Sequence, residues 1–188
     1  MDRLIEVEAL RFIHTEQSVT ADKAVTPITP TLNGKIVLLV ATDLLDANTQ
    51  IQLEWVTEAT SQLQDSLDII VRPHPASDFY ATKYAQWQKL VDGGDLTKLL
   101  KRVNIIFCSN ASSIAVDGYL AGKPALTMLD GNRFNFCPLR GLPNNMPIVS
   151  AQNLESAIVY SNLNLKTQPV NYFYLDDNLL SWRKLLSE

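Results

Sequence analysis

Runs of apolar, largely β-branched residues constrain this chain more than any other feature. They are KIVLLVAT (35–42), LDIIV (67–71), NIIFCS (104–109) and PALTML (124–129), with a shorter fifth, MPIVS (146–150). A strand with one wet face alternates apolar and polar residues. These runs do not alternate, so each is expected to be a strand buried on both faces. Segments with a helical period lie between them. Ile51, Trp55, Ala59 and Leu63 recur every fourth residue, and YAQWQKLV (84–91) has helical character. Leu96, Leu99, Leu100 and Val103 follow the i, i+3, i+4, i+7 rule behind Asp95 as a helix cap. SSIAVDGYLAG (112–122) and NLESAIVYS (153–161) read as further helices, and Leu175, Leu179, Trp182 and Leu186 share one face of a terminal one. Strands this apolar, alternating with helices, predict an α/β chain with a parallel sheet covered by helices on both faces.

The chain has 188 residues, 46% hydrophobic and 19% charged, which suits one domain over 35–188 behind an N-terminal segment and linker over 1–34. In that segment IEVEALRFI (5–13) reads as a strand or a short helix, and TPITPTLNG (26–34) as a connector. The net charge of -4, without a Lys/Arg cluster, argues against nucleic acid as a partner, although a single phosphate site needs no net positive charge. Cys108 and Cys137 have no CxxC or Cys/His spacing and read as two free, buried thiols of a reducing compartment. Glu6 and Glu8 interrupt the apolar stretch that a signal peptide needs, and no run approaches the ~18 apolar residues of a membrane helix. The expected location is the cytoplasm.

In an open parallel sheet ligands bind outside the carboxyl ends of the strands. Two such ends carry chemistry. After the second strand, Arg72 and His74 stand in RPHP, stiffened by Pro73 and Pro75, so an imidazole there is held with little entropy left to lose. It either meets a phosphate or leaving group, or bonds a neighbouring carbonyl. After the third strand, CSNASS runs into a helix. Ser109, Asn110, Ser112 and Ser113 either cap that helix or, with its N–H groups, cradle a phosphate. Asp117 lies four residues after Ser113, hence on the same side of the helix; it is either a solvated acid or a partner for ribose hydroxyls. Gly122 then ends the helix and Pro124 starts the next strand. Thr42 and Asp43 follow the first strand at the same edge. Asn135 and Arg140 lie in the Gly/Pro/Asn-rich loop over 130–145, a kind of loop that closes over ligands. P-loop, GxGxxG, HExxH and nucleophile-elbow patterns are absent, and His14 is the only other histidine, so no metal site is expected. A triad of Ser112, His74 and Asp117 lacks an oxyanion-hole glycine turn.

With RPHP after one strand and SNASSIAVDGYLAGKP between two later ones, the chain resembles the C-terminal half of a GT-B glycosyltransferase, the Rossmann-like domain that holds the nucleotide-activated donor. The His-Pro and Ser-Ser pairs are similar to those of bacterial sialyltransferases and related enzymes of capsule and lipopolysaccharide assembly, where both motifs contact the donor's cytidine monophosphate. CDP-glycerol polymer transferases have a similar pairing. An acidic residue before GKP is shared with many GT-B enzymes and with UDP-N-acetylglucosamine 2-epimerases, whose acid is usually Glu, whereas here it is Asp117 with a shorter reach. The resemblance covers about residues 35–160. It implies a CMP-, CDP- or UDP-linked sugar as substrate and no separate cofactor. Arg72, His74, Ser112 and Ser113 would lie at the donor phosphate, His74 assisting departure of the nucleotide, with Asp117 at the ribose. It also implies a missing N-terminal acceptor domain that carries the catalytic base, and peripheral membrane association of the complete enzyme. A UDP-sugar 2-epimerase-like half is the alternative enzyme. A non-catalytic Rossmann-like module, dimeric through an apolar face near Trp182, is the alternative without catalysis.

Overall fold

The computed structural model describes residues 5–10, 34–61, 63, 66–80, 82–131, 134–143, 145–164, 176 and 178–187. His14, Leu175 and nearly all of the TPITPTLNG connector lie outside the described residues. The elements in order are β1 (Ile36–Ala41), α1 (Asp46–Thr60), β2 (Leu67–Arg72), a 3-10 turn (Thr82–Tyr84), the single turn α2 (Ala85–Gln88), α3 (Leu96–Arg102), β3 (Ile105–Ser109), α4 (Ile114–Leu120), β4 (Ala125–Met128), β5 (Asn145–Ile148), α5 (Ala151–Asn164) and α6 (Leu180–Ser187).

All five strands are parallel, in the order β2-β1-β3-β4-β5. Beyond β2, Val91 forms an isolated parallel bridge to Val71, so a third strand survives there as one residue pair. Counting that remnant, the order becomes 3-2-1-4-5-6, that of the Rossmann sheet. The fold is therefore the expected Rossmann-like α/β sheet. Its switch point, where successive crossovers leave in opposite directions, falls between β1 and β3.

Alternation along β1 sorts the core into two layers. Ile36, Leu38 and Val40 pack with Leu53, Val56 and Ala59 of α1 and with Leu154, Ala157 and Ile158 of α5. Val37, Leu39 and Ala41 pack with Leu99 and Leu100 of α3 and with Ala115, Val116 and Tyr119 of α4. β1, β3 and β4 are buried throughout, as their sequences require. β2 departs from the expectation: Asp68 is exposed and Ile69 and Ile70 are half-buried, because little more than Val91 covers that edge. The helix expected over 84–91 is reduced to the single turn α2, since Tyr84 and Trp87 turn into the core and Val91 is diverted to the sheet.

Residues 5–9 of the N-terminal stretch are neither strand nor helix, and a helical turn is assigned only at Leu10. Glu8 instead caps the far end of the chain. Its carboxylate accepts from the Ser181 and Trp182 N–H groups at 2.8 and 3.2 Å, and the Trp182 indole donates to the Glu8 carbonyl at 2.8 Å. Burial opposes ionisation of Glu8, but the backbone hydrogen bonds outweigh it and hold the carboxyl below its usual range. No described helix is long and apolar enough to cross a membrane.

Candidate functional site

The carboxyl ends of β1 and β2 are locked together. Thr42, buried at the end of β1, donates its N–H to the Arg72 carbonyl (3.0 Å), and its hydroxyl accepts the His74 N–H (3.2 Å). The two prolines hold His74 at the head of a tight turn, in which the Ser77 N–H (2.9 Å) and hydroxyl (2.8 Å) both donate to the His74 carbonyl. The imidazole is exposed, and its Nδ1 accepts the Ala76 N–H at 3.2 Å. An Nδ1 that accepts is unprotonated, so in the neutral ring the proton sits on Nε2. His74 thus presents a donor on its outer side, the polarity a phosphate oxygen requires.

Asp43 serves the turn into α1: its carboxylate accepts the Leu45 N–H at 2.8 Å and its carbonyl the Thr49 hydroxyl at 3.0 Å. Arg72 is committed elsewhere. Its Nη1 donates to the Gly94 carbonyl at 2.7 Å, tying β2 to the loop after Val91. The His74 loop is anchored to α1 as well. The Tyr84 hydroxyl donates to Asp46 at 2.7 Å, Lys83 pairs with the same carboxylate, and the Phe79 ring stacks on Tyr84 at 5.0 Å. Hydrogen bonds from Lys83, then Tyr84, hold the Asp46 carboxyl below its usual range. Burial, then the Asp46 hydrogen bond, push the Tyr84 phenol far above its own.

Across the switch point, β3 ends at Ser109, whose carbonyl accepts the Ser112 N–H at 3.2 Å. Ser113 occupies the cap position of α4, and its side chain makes no capping bond there. Ser112 and Ser113 are half-buried, whereas Ser109 and Asn110 are buried. Asp117 is not a solvated acid: it is only 7% exposed. Next to it, a Cβ on Gly118 would lie 2.0 Å from Ile106 Cδ1, so α4 sits close against β3 and any larger residue there would have to displace the end of the Ile106 side chain.

The loop after β4 divides between the two edges of the sheet. Asn110 Nδ2 donates to the Phe134 carbonyl at 3.3 Å, which holds the start of the loop at the carboxyl edge. Asn135 is spent on an Asx turn to the Cys137 N–H (2.9 Å). Arg140 follows Leu139, whose carbonyl accepts from Asn145 at 3.2 Å, and Asn145 pairs with Ala125 at the amino end of β4. The structure therefore carries Arg140 towards the opposite edge from His74 and the serines. The loop has to return there, because β5 runs parallel to β4. Cys108 and Cys137 are free and buried; burial, then the neighbouring Cys137, push the Cys108 thiol far above its usual range.

The sequence reading passed over the inner face of α1. The residues facing the sheet are Asn48, Thr49, Gln52, Leu53, Val56 and Ala59, whereas Ile51 and Trp55 are only partly covered. The Gln52 amide nitrogen donates to the Ala41 carbonyl (2.9 Å) and reaches the Phe107 carbonyl (3.5 Å), bridging β1 and β3. Its signal was the i, i+4 spacing of Asn48 and Gln52 within an otherwise apolar register. Among the described residues no three His, Cys, Asp or Glu side chains are placed to hold a metal ion.

No protein-family model matches the chain, and no curated protein matches it. Solved structures do. A Staphylococcus aureus MnaA–UDP co-structure superposes with a TM-score of 0.57 at 16% identity, over 89% of this chain and 50% of that one. A putative UDP-N-acetylglucosamine 2-epimerase from Listeria monocytogenes gives 0.56 at 16% identity, over 89% and 49%. The glycotransferase of kitacinnamycin gives 0.53 at 16% identity, over 70% and 36%. The chain spans about half the length of the first two proteins and about a third of the last. Likeness at this identity establishes the fold alone: a Rossmann-like α/β sheet matching part of these GT-B structures.

Proposed function

We propose that this chain is the donor-binding domain of a glycosyltransferase that assembles surface carbohydrate, and that it holds a nucleotide-activated sugar at the switch point. The observation that carries this reading is the convergence of three strand ends there. A proline-fixed His74, its imidazole exposed and its Nδ1 held by the Ala76 N–H, stands on Thr42 at the ends of β1 and β2, and the half-buried pair Ser112 and Ser113 opens α4 after β3. The nucleotide phosphate lies between them and Asp117 is at the ribose. Ser109, Asn110 and Asp43 shape the turns, and Arg72 acts through the loop at Gly94 rather than at the phosphate. The complete reaction needs a second, acceptor-binding domain, so this chain alone binds nucleotide and transfers no sugar.

A UDP-sugar 2-epimerase-like half is the second reading. It draws on the match to the Listeria protein over 89% of this chain, against 70% for the kitacinnamycin glycotransferase. Calorimetric titration with CMP, CDP, UMP and UDP in parallel tests both. Binding of cytidine nucleotides alone is the result expected for a sialyltransferase-like donor site, and a uridine preference shifts the assignment to UDP-sugar enzymes. Binding of none would overturn the donor-site reading in favour of a non-catalytic module, for which self-association through the exposed leucines of α6 is then the property to measure.

A further inference from the structure

Buried polar atoms in folded proteins nearly always have hydrogen-bond partners, and one left without costs about 1–3 kcal/mol. Two adjacent exceptions occur on α1. Asn48 Oδ1 and Gln52 Oε1 have no partner, although Asn48 is only 4% exposed and Gln52 is fully buried. The two residues are four apart and therefore lie on one face of the helix, the face turned to the sheet.

Their height in the fold follows from the geometry of the elements. Gln52 is fixed at the level of Phe107 by its reach to that carbonyl. One turn back along α1 is about 6 Å. The two residues from Phe107 to Ser109 advance β3 by about 6.6 Å in the same direction. Asn48 therefore stands level with Ser109, at the mouth of the crevice between β1 and β3. No side chain caps the first turn of α1, whose cap position is Leu45.

The vacant groups are acceptors, so each needs a hydrogen-bond donor, which an anion cannot supply. A hydroxyl suits them, because it donates to an amide oxygen and brings no charge. We propose that Asn48, supported by Gln52, forms a hydroxyl-binding subsite under the switch point that takes a carbohydrate ring of the bound nucleotide. This rests on the donor-binding reading above. Asn48 reaches the ligand by rotation about its last side-chain torsion, which is soft for an amide. Gln52, anchored through its nitrogen to both strands, fixes the face of α1 on which Asn48 stands.

The test compares the wild type with Asn48→Leu by calorimetric titration, using CMP, CMP-N-acetylneuraminate, UDP and UDP-N-acetylglucosamine, with melting curves of both proteins. Leucine removes an unpaired amide at similar volume, so the variant is expected to melt a few degrees higher. It is also expected to bind about tenfold more weakly. A loss already present with the bare nucleotides identifies the ring as the ribose, whereas a loss confined to the sugar-linked forms identifies it as the transferred sugar. Asn48→Ala provides the same readout if leucine proves too large to fold. Unchanged affinity for every ligand in a folded variant would mean that only water occupies the subsite, and would overturn the proposal. A wild type that binds none of the four nucleotides fails differently, since it removes the donor-binding reading itself.

Discussion

Gly118 is the point at which packing and the candidate site meet, and replacing it with alanine has a consequence that can be worked out. The added methyl would lie 2.0 Å from Ile106 Cδ1, where carbon atoms in contact sit at roughly 3.5–4.0 Å. The clashing atom is the far end of the Ile106 side chain, fully buried in the middle strand of the sheet, so it can swing aside only by displacing its neighbours. Overpacking of this kind costs about 1–3 kcal/mol. Alanine in place of glycine inside a helix recovers about 1 kcal/mol. Gly118→Ala alone should therefore lose ~0–2 kcal/mol, too wide a range to be decisive. The double-mutant cycle is sharper. Ile106→Val deletes the clashing methyl at a cost of ~0.5–1.5 kcal/mol. In the double variant the clash is gone while the helix gain remains, so the coupling energy equals the clash, about 1–3 kcal/mol. Equilibrium urea unfolding followed by tryptophan fluorescence measures all four proteins, with an unchanged slope as the check on two-state behaviour. Additivity within about 0.5 kcal/mol would refute the close-approach argument. The same argument predicts weaker nucleotide binding by Gly118→Ala alone, with recovery in the double variant, because the turn carrying Ser112 and Ser113 rides on this helix.

His74→Ala should weaken nucleotide binding about tenfold, the ~1.4 kcal/mol of one phosphate contact. His74→Gln places an amide nitrogen near the position of Nε2 and should retain most of the affinity, whereas His74→Asn should behave like alanine. Equal losses in calorimetry for Gln and Asn would show that the outer nitrogen is not the contact. The Asp46 carboxyl is held below its usual range in the folded state, so its contribution to stability is fully present above the unfolded carboxylate value near ~4 and is lost as pH falls through the lower folded value. Asp46→Asn should therefore flatten the fall in the urea midpoint between about pH 5 and pH 3, and an unchanged acid profile would show that the Lys83 and Tyr84 contacts do not bias its ionisation.

The sheet was legible because β1, β3 and β4 carry apolar residues at every register position, a pattern that only two-sided burial explains. β2 was harder to place in the sheet. Its run differs from theirs by Asp68, the residue that is exposed, and the other four residues of LDIIV do not reveal that the strand beyond it has shrunk to Val91. At the site, the turn at His74 was legible because two prolines leave the backbone few alternatives. The register of α1 was not. Ile51 and Trp55 are the more hydrophobic residues, but the amides of Asn48 and Gln52 gain the inner face, where strand-end carbonyls offer Gln52 partners that no reading of hydropathy registers. Arg72 and Arg140 are held away from the His74 turn for different reasons. The first is captured by a carbonyl 22 residues away in sequence, and the second is displaced by a loop whose direction depends on the parallel register of β5. Asp117 was read correctly as to face, yet spacing along the helix does not reveal that it is buried.

The contact between Glu8 and the start of α6 also bears on the modularity of this unit. Residues 8 and 181 are joined by direct hydrogen bonds, so two segments from opposite sides of the sheet-forming sequence meet at one place. A unit with adjacent entry and exit points can be spliced into a surface loop of another protein, or cut from one, without any connection having to span its diameter. Closing such a short gap carries little entropic cost. The same adjacency makes a permuted chain feasible: a short linker between residues 8 and 181, with new ends opened in the loop after β4, would leave every strand pairing in place.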